Sequence, residues 1–278
     1  MKQRMYVGRQ FLKRITLVLL MQTVMTLPVP AEEIVVSPRG SALREALQSA
    51  QSGTTIVLED GNYYGEFPIP PGVTVVSQNL HGAVLNGVGA EHVVTLTNNA
   101  TLRGVQVQNG RIGVFSRGLD NTIAECRISR NRNSGISSII AVPEIRDNII
   151  YRNGGSGIQI WVDDKAYNGS IEHNTIAHNE NHGISLGGEA EIHVRNNIVA
   201  YNKRLTLQVQ GPEVTVVQEN NNYFGNIEFN MALPEDNFSY DPEFIDARSG
   251  NFNFPSSSRS SFDATDRGRL GSRIYDHK

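Results

Sequence analysis

The amino-acid sequence predicts an all-β fold, a parallel β-helix that begins with a short capping helix. Two observations predict it. Four stretches within residues 122–210 repeat at intervals of 22, 26 and 23 residues, and such periods are typical of solenoids. Each copy holds three short apolar runs of period 2, separated by Asn or Gly. Runs this short are unstable alone, so each predicts a strand that pairs with its copy one coil away, about 4.8 Å along the axis.

The first 31 residues are typical of a secretory signal peptide. Residues 1–14 carry five basic side chains and no acid, and an apolar run follows over residues 15–27. This run is shorter than the roughly 20 residues that a membrane span needs. The small residues Val29 and Ala31 come next and favour cleavage after Ala31. We therefore expect a signal peptide over 1–31 and a secreted or periplasmic protein. An uncleaved N-terminal anchor is the alternative.

The charge of the chain restricts its binding partners, and its cysteine content restricts its disulfides. Cleavage would remove five basic residues and leave 20 Lys and Arg against 28 Asp and Glu, a net charge of −8. Such a surface does not favour nucleic acid or anionic membranes. No segment beyond the signal is apolar enough to span a membrane, and Cys126 is the sole cysteine. An exported chain with one cysteine has no internal disulfide, so its stability must come from packing and hydrogen bonds. We expect a monomer.

The chain enters the repeat through a helix and ends outside it. The stretch "SALREALQSAQSG" at residues 41–53 predicts an amphipathic helix that covers the open end of the solenoid. The stretches "TTIVLEDGNYYGEFPI", "VTVVSQ", "AVLNG" and "HVVTLT" then predict the first coils. Residues 241–268 lose the repeat and predict a flap of strands and loops that closes the last coil. We therefore expect one β-helix domain over 32–268 and a flexible tail over 269–278.

The central copies align on four anchors, Asn131, Asn153, Asn179 and Asn202. Aliphatic residues recur three and eight positions before each anchor and five positions after it, which predicts three inward columns of a continuous core. Asparagine recurs at the predicted bends, where it tolerates left-handed backbone and its amide can bond to its counterpart in the next coil. Glycine recurs four positions after three of the anchors, where we expect positive φ.

Residues 122–209 resemble the "N-x-I-x-x-N-x-x-x-G-I-x-I" coils of the pectin-lyase-like superfamily. The stretch "LREALQSAQSGTTIVLEDGNYYGEF" is similar to the start of alginate lyases and chondroitinase B-like lyases, and "DPEFIDARSGNFNF" resembles the ending of exported members. The resemblance implies a single-stranded, right-handed parallel β-helix. It does not imply one activity, because the superfamily contains lyases, hydrolases, epimerases and non-catalytic binding proteins.

The longest interval between anchors points to a candidate catalytic loop. The extra residues of the 26-residue interval fall in "WVDDKAYNGS" at residues 161–170, and insertions carry functional variation in solenoids. Trp161 and Tyr167 could contact a sugar ring, while Asp163, Asp164 and Lys165 could move a proton. The alternative is a solvated turn whose charges only keep it soluble.

A second candidate surface consists of the residues immediately before the anchors: Arg130, Arg152, His178 and Tyr201. We expect this basic and aromatic stripe to point outward, one residue above another, and to contact a polysaccharide along the axis, since the coil spacing is close to a sugar repeat of about 5 Å. Ordinary surface charge is the alternative.

Three histidines lie close together in the sequence, at positions 173, 178 and 182. They fall at different offsets from the anchor Asn179, so we expect them at different places around the coil and do not expect a shared metal. His182 follows the anchor by three positions, as Ser156 follows Asn153. We take His182 as the candidate general acid or base, because an imidazole titrates near neutral pH.

The resemblance does not supply an active site. Polygalacturonase-like hydrolases carry NTD, DD, GHG and RIK motifs, of which only Asp163-Asp164 and "NHG" at 181–183 are faintly similar. Alginate epimerases carry DPH, whereas the sole DP here precedes Glu243. In lyases that pair a lysine base with an arginine one coil later, Lys165 would be the base, but Gly188 and Glu189 stand where the arginine is required.

We assign no metal site and no certain cofactor. Calcium prefers several oxygen ligands, and Asp163, Asp164 and Glu189 are available, so calcium stays open. Zinc would need converging imidazoles, which the spacing does not favour.

The sequence thus predicts an exported protein that acts on or binds polysaccharide, with lyase or hydrolase chemistry at residues 161–167 and His182. A non-catalytic glycan-binding or structural surface protein is the competing prediction.

Overall fold

Each coil of the chain contributes one strand to each of three parallel sheets. The computed structural model describes residues 32–162, 169–227 and 233–274, and these residues wind into a right-handed parallel solenoid. The predicted fold class is therefore confirmed. We call the three sheets the A-sheet, the B-sheet and the C-sheet. Along the chain, successive strands join these sheets in that order, and the cycle then repeats. Each strand pairs with its counterpart in the neighbouring coils.

The three sheets contain 24 strands within the described residues. The A-sheet consists of β1 (Glu33–Val36), β2 (Thr55–Leu58), β5 (Thr74–Ser77), β8 (Thr101–Arg103), β11 (Thr122–Ala124), β14 (Glu144–Arg146), β17 (Ser170–Glu172), β20 (Ala190–Arg195) and β23 (Val214–Glu219). The B-sheet consists of β3 (Gly61–Tyr64), β6 (Ala83–Asn86), β9 (Gln106–Gln108), β12 (Arg127–Ser129), β15 (Ile149–Tyr151), β18 (Thr175–Ala177), β21 (Ile198–Ala200) and β24 (Asn222–Phe224). The C-sheet consists of β4 (Phe67–Ile69), β7 (His92–Leu96), β10 (Ile112–Ser116), β13 (Ile136–Ile139), β16 (Ile158–Val162), β19 (Ile184–Gly188) and β22 (Leu207–Gln210).

The predicted core columns are confirmed by the pairing register. In the B-sheet, Ile150 pairs with Ile128 on one side and Ile176 on the other, and all three are fully buried. In the same way, Ile145 of the A-sheet and Ile158 of the C-sheet each pair with an isoleucine in the coil before and an isoleucine in the coil after. Each column buries a continuous apolar stack, which stabilises the solenoid by removing that surface from water.

The asparagines form two ladders that run along the solenoid axis. In the first ladder, Asn179 accepts hydrogen bonds from the backbone N–H and the side-chain Nδ2 of Asn153, each at 3.0 Å, and donates to Asn202 at 3.0 Å. The second ladder repeats this pattern through Asn148, Asn174, Asn197 and Asn221. The predicted amide bonds between coils are therefore confirmed. The left-handed residue, however, is the one before each ladder asparagine, such as His173 (φ 52°) and His178 (φ 54°).

The recurrent glycines differ from the prediction. Gly135, Gly157 and Gly183 are absent from the residues with positive φ. A Cβ at Gly135 would lie 2.6 Å from Ile150 Cγ2 and 2.8 Å from Asn153 Nδ2. Glycine is required here because the ladder amide and the next coil leave no room for a side chain.

A single α-helix, α1 (Ala42–Ser49), precedes the regular coils and confirms the predicted helix. It buries Leu43, Ala46 and Leu47 against the N-terminal end of the core. This contact protects apolar residues that the first coil would otherwise expose. Within the described residues, no helix is long and apolar enough to cross a membrane.

The C-terminal residues pack mainly along the outer face of the B-sheet. Asn237 extends the second asparagine ladder by accepting from Asn221, and Phe238 bridges to Asn222, so these two residues continue the last coil ahead of the predicted flap. Beyond it, Phe252 packs on Ile149 and Tyr151, and Leu270 packs on Ile198. A short 3-10 helix, Arg259–Ser261, lies in this segment.

The described part of the predicted flexible tail is packed. Leu270 is fully buried, and the Arg273 guanidinium binds both carboxylate oxygens of Asp147 at 2.7 and 2.8 Å. Residues 269–274 therefore differ from the prediction, because they bury an apolar side chain and a bidentate ion pair against the coils. Residues 275–278 lie outside the described residues.

Candidate functional site

Strand β16 places Trp161 on the outer face of the C-sheet. Trp161 is the chain's only tryptophan and its side chain is 49% exposed. It pairs with Ile139 in the preceding coil and with Gly187 in the following coil. A Cβ at Gly187 would overlap the six-membered part of the indole, so the ring lies over the Gly187 backbone. The missing side chain lets the ring rest against the sheet and leaves an aromatic surface facing solvent.

Amide and hydroxyl groups lie beside the indole in a register column of their own. Gln159 pairs with Ser137 and Ser185, and Ser185 pairs with Gln208. Side-chain hydrogen bonds connect the column, since Ser185 Oγ donates to Gln208 Oε1 at 3.0 Å. We call this surface the C-sheet platform, defined by Ser137, Ile139, Gln159, Trp161, Ser185 and Gln208.

A groove of about 530 Å³ runs along the A-sheet where the chain crosses from the C-sheet. Its charged lining residues come from successive coils and are Asp120, Glu144, Glu172, His193 and Arg195. The crossing residues Val142 and Gly169 also line it. We call it the A-sheet groove. It lies beside the candidate loop, because Gly169 is the first described residue after that loop.

Two carboxylates that line the A-sheet groove form ion pairs with arginines. Arg195 Nη2 lies 2.7 Å from Glu172 Oε1, and Arg146 Nε lies 2.6 Å from Glu144 Oε1. Burial opposes ionisation of Glu172, but hydrogen bonds from Arg195 and Ser170 outweigh it and lower the pKa of Glu172. Glu172 is therefore an anion at neutral pH and is poorly suited to donate a proton. His193 Nε2 lies 3.4 Å from Glu191 Oε1.

Four predicted site residues lie outside the described residues: Asp163, Asp164, Lys165 and Tyr167. Their flanking residues do have a place in the fold. Val162 ends β16 at the C-sheet edge, while Gly169 begins the return into the A-sheet groove. One coil later the same crossing takes a single residue, Glu189, between β19 and β20. The residues that flank the candidate loop therefore lie at this corner, Val162 beside Trp161 and Gly169 in the lining of the A-sheet groove.

His182 is buried and belongs to the bend between the B-sheet and the C-sheet. Its side chain is 6% exposed, and its Nδ1 accepts a hydrogen bond from Leu205 N–H at 3.2 Å. Its backbone carbonyl accepts from Gly157, and Ser156 occupies the equivalent place one coil earlier. These bonds hold the ring in the stack of coils. The role of His182 as general acid or base stays a prediction.

The predicted stripe is one column of left-handed residues, since Arg130, Arg152, His178 and Tyr201 have φ between 51° and 57°. The His178 ring stacks on Tyr201 with centroids 5.2 Å apart. Arg130 is exposed, whereas the other three are half-buried and contact the C-terminal segment. Arg152 donates to the carbonyl of Arg248, Phe252 lies 6.3 Å from His178, and Tyr201 donates to Asp241 at 2.8 Å.

The cover over His178 has a consequence for acid stability. Burial lowers the pKa of His178, and the nearby Arg152 guanidinium lowers it further. A lowered folded pKa contributes stability above the ordinary histidine pKa of about 6.5, and this stability is lost as pH falls through the folded value. We expect a smaller loss of Tm between about pH 7 and about pH 5 in His178→Phe, which keeps the ring stacking but cannot be protonated. Equal losses in both proteins, measured by circular dichroism, would contradict this assignment.

Within the described ranges, no group of three or more His, Cys, Asp or Glu side chains is arranged to hold a metal ion. Of the three residues proposed as calcium ligands, Asp163 and Asp164 lie outside those ranges, and Glu189 is exposed.

Sequence reasoning missed the C-sheet platform apart from Trp161, and it missed the A-sheet groove. The platform had a readable signal, because Ser137, Gln159, Ser185 and Gln208 all stand six positions after an anchor. They alternate with the inward column at five, so period 2 places them outward. The groove had a signal of the same kind, because Glu172 and Arg195 stand seven positions before their anchors and Glu144 and His193 nine positions before theirs, on either side of the inward column at eight. Its position at the crossing from the C-sheet, where Val142 and Gly169 lie, came only from the structure.

Comparison with known proteins places this geometry among β-helix proteins. A family model described as "Right handed beta helix region" matches residues 86–233. The crystal structure of pectate lyase Pel9A superposes with a TM-score of 0.57 at 14% identity, covering 88% of this chain and 96% of that chain. An alginate lyase from Paenibacillus sp. str. FPU-7 gives a TM-score of 0.45 at 21% identity, covering 69% and 76%. No curated protein sequence gives a significant match. At 14% identity, the superposition on the pectate lyase shows a shared fold and nothing more.

Proposed function

The chain belongs to the right-handed β-helix family, and from that premise we propose that it is an exported protein that binds or cleaves polysaccharide. The family model covers more than half of the chain, but this fold serves many activities, so the function must be argued from the site. Pectate and alginate lyases share the fold. The proposal rests on the surface at the corner between the C-sheet and the A-sheet.

One observation carries the proposal: the half-exposed indole of Trp161 rests against the Gly187 backbone beside a column that contains the accessible amides of Gln159 and Gln208. An aromatic face stacks on the apolar face of a pyranose, and neighbouring amides hydrogen-bond its hydroxyls. Successive rows of the C-sheet platform are about 4.8 Å apart, close to the length of one sugar. Gln159 and Gln208 are the accessible amides of this column, whereas Ser137 and Ser185 are buried beside them, so a bound chain would contact the amides and the indole.

We propose that bond cleavage, by lyase or hydrolase chemistry, uses the loop that leaves the platform after Val162. The loop sequence supplies Asp163, Asp164 and Lys165, with Tyr167 as a further sugar contact. A carboxyl or amine held beside a bound chain can transfer a proton at the scissile bond. His182 is the proposed alternative acid or base, and Arg130 is the stripe residue that stays accessible to a glycan.

A non-catalytic glycan-binding protein is the second candidate, favoured by the ion pairs of the A-sheet groove. Glu172 and Glu144 are each paired with an arginine, and Glu172 has a lowered pKa. These two carboxylates are therefore suited to holding hydroxyl groups. A polysaccharide panel separates the two candidates. Unsaturated products indicate a lyase, new reducing ends alone indicate a hydrolase, and binding without either product favours the second candidate.

The binding proposal is tested at Trp161. We expect Trp161→Ala to weaken binding of a retained polysaccharide about tenfold, which corresponds to about 1.4 kcal/mol of lost stacking. In the unmodified protein, glycan binding should change the intrinsic tryptophan fluorescence. Phe262→Ala removes an aromatic side chain that is 60% exposed on the C-terminal segment and serves as the matched control. Unchanged affinity in Trp161→Ala would remove the C-sheet platform as the binding surface.

A further inference from the structure

We propose that the glycan bound here is uncharged, and that the site disfavours polyuronates. This inference rests on the proposed function, because it names the substrate class of the same site. Three observations support it: the side chains of the C-sheet platform, the charge of the A-sheet groove, and the pairing of the groove's arginines.

The C-sheet platform presents no charged side chain. Its accessible outward residues are Ile139, Gln159, Trp161 and Gln208, the two serines are buried beside them, and the coils beyond Trp161 add Gly187 and Gln210. Among the residues that the structure describes, the nearest outward cation of this face along the register is Arg117, which follows β10 two coils before Trp161. A polyuronate carries one carboxylate per sugar, so it would need a cation on nearly every coil to offset desolvation. Amides and hydroxyls instead match the donors and acceptors of neutral sugars.

The A-sheet groove adds negative charge beside the platform. Asp120, Glu144 and Glu172 line it, against one lining arginine, Arg195. Carboxylates accept hydrogen bonds from sugar hydroxyls but repel uronate carboxylates. The groove therefore favours neutral glycans in two ways: it repels the carboxylates of polyuronates, and it accepts hydrogen bonds from sugar hydroxyls.

Arg195, which lines the groove, and Arg146, which pairs with the lining residue Glu144, are both bound to carboxylates of the protein. Arg195 binds Glu172 at 2.7 Å, and Arg146 binds Glu144 at 2.6 Å with Glu125 and Asp147 nearby. A uronate would have to replace these partners and leave Glu172, which is three-quarters buried in its side chain, beside a second anion.

A matched pair of polymers tests the inference. Polygalacturonate and its fully methyl-esterified form share one backbone and differ in charge. Alginate and carboxyl-reduced alginate make a second pair, and xylan, mannan and a β-glucan extend the neutral set. Binding is followed through Trp161 fluorescence and by retention in affinity electrophoresis. We expect the neutral member of any bound pair to bind at least tenfold more tightly, with little dependence on sodium chloride. Tighter binding of a polyuronate, with or without added calcium, would overturn the inference.

A charge-introducing variant tests the physical reason directly. Gln159→Lys places one cation in the C-sheet platform, and Gln159→Met keeps a similar volume without charge. We expect the lysine variant to gain about tenfold in affinity for polygalacturonate at low salt and to lose this gain at high salt, while the methionine variant gains nothing. Equal behaviour of the two variants would overturn the electrostatic argument.

The outcomes distinguish the inference from the function on which it rests. Trp161-dependent binding of a polyuronate in preference to neutral polymers would overturn the inference and leave the proposed function intact. Absence of binding by every polymer in both assays would overturn the proposed function and the inference together. Binding restricted to neutral polymers supports both.

Discussion

Replacing Asn179 with alanine is expected to lower the free energy of unfolding by about 3–5 kcal/mol, since several buried polar groups lose their partner together. The Asn179 side chain is fully buried. It accepts from the Asn153 N–H and Nδ2 and donates to Asn202 Oδ1 and to the Ile150 carbonyl. The coils leave little room for water at this position, and an unpaired buried polar group costs about 1–3 kcal/mol.

The first asparagine ladder contains its own control. Asn226 occupies the last rung, is only half-buried, accepts from Asn202 and donates to Val199. Asn226→Ala should cost about 1 kcal/mol, because water can reach the groups it leaves. Urea unfolding of the two variants, followed by circular dichroism, gives the comparison. Equal losses of stability in the two variants would contradict the prediction that a ladder asparagine contributes more when it is buried.

Lys165→Ala and Asp164→Ala are each expected to reduce polysaccharide turnover by about 10²–10⁴-fold, the usual contribution of a positioned proton-transfer group. Both residues belong to the insertion between Val162 and Gly169, outside the columns that form the core. We therefore expect Tm to change by no more than about 2 °C, since surface substitutions usually cost less than about 0.5 kcal/mol.

The control for this second experiment is Lys203→Ala, which removes an exposed lysine paired with Glu180 on a neighbouring bend. It should keep full turnover. Initial rates on whichever polymer the panel identifies, together with thermal unfolding of each variant, are the measurements. Full activity in both loop variants would exclude this loop as the catalytic site and direct attention to His182 or to the non-catalytic candidate.

The coils could be read from the sequence because a solenoid repeats its own constraints. Ile128, Ile150 and Ile176 stand at one offset from their anchors, and the pairing of coils places them in one buried column. The asparagine ladders follow for the same reason, since a residue that recurs at a bend meets its own copy. Trp161 could be predicted as a site residue because it adjoins the one insertion among these copies.

Other features depended on atoms that come from distant parts of the chain. The glycines after the anchors are needed because a Cβ would collide with the next coil, a distance that no single repeat reveals. The stripe was predicted as an open surface, yet Phe252 and Asp241 lie against His178 and Tyr201. The C-terminal segment has no repeat, so its docking on the B-sheet could not be derived from periodicity.

The repeat thus defines what each residue faces within its own coil and the next, because identical spacing implies identical neighbours. It identifies the core, the ladders and the outward position of Trp161. It does not define which outward surfaces stay open, since that depends on where non-repetitive segments pack. The A-sheet groove and the covered stripe both arise from contacts between residues that are far apart in the chain, which form only when the solenoid is wound.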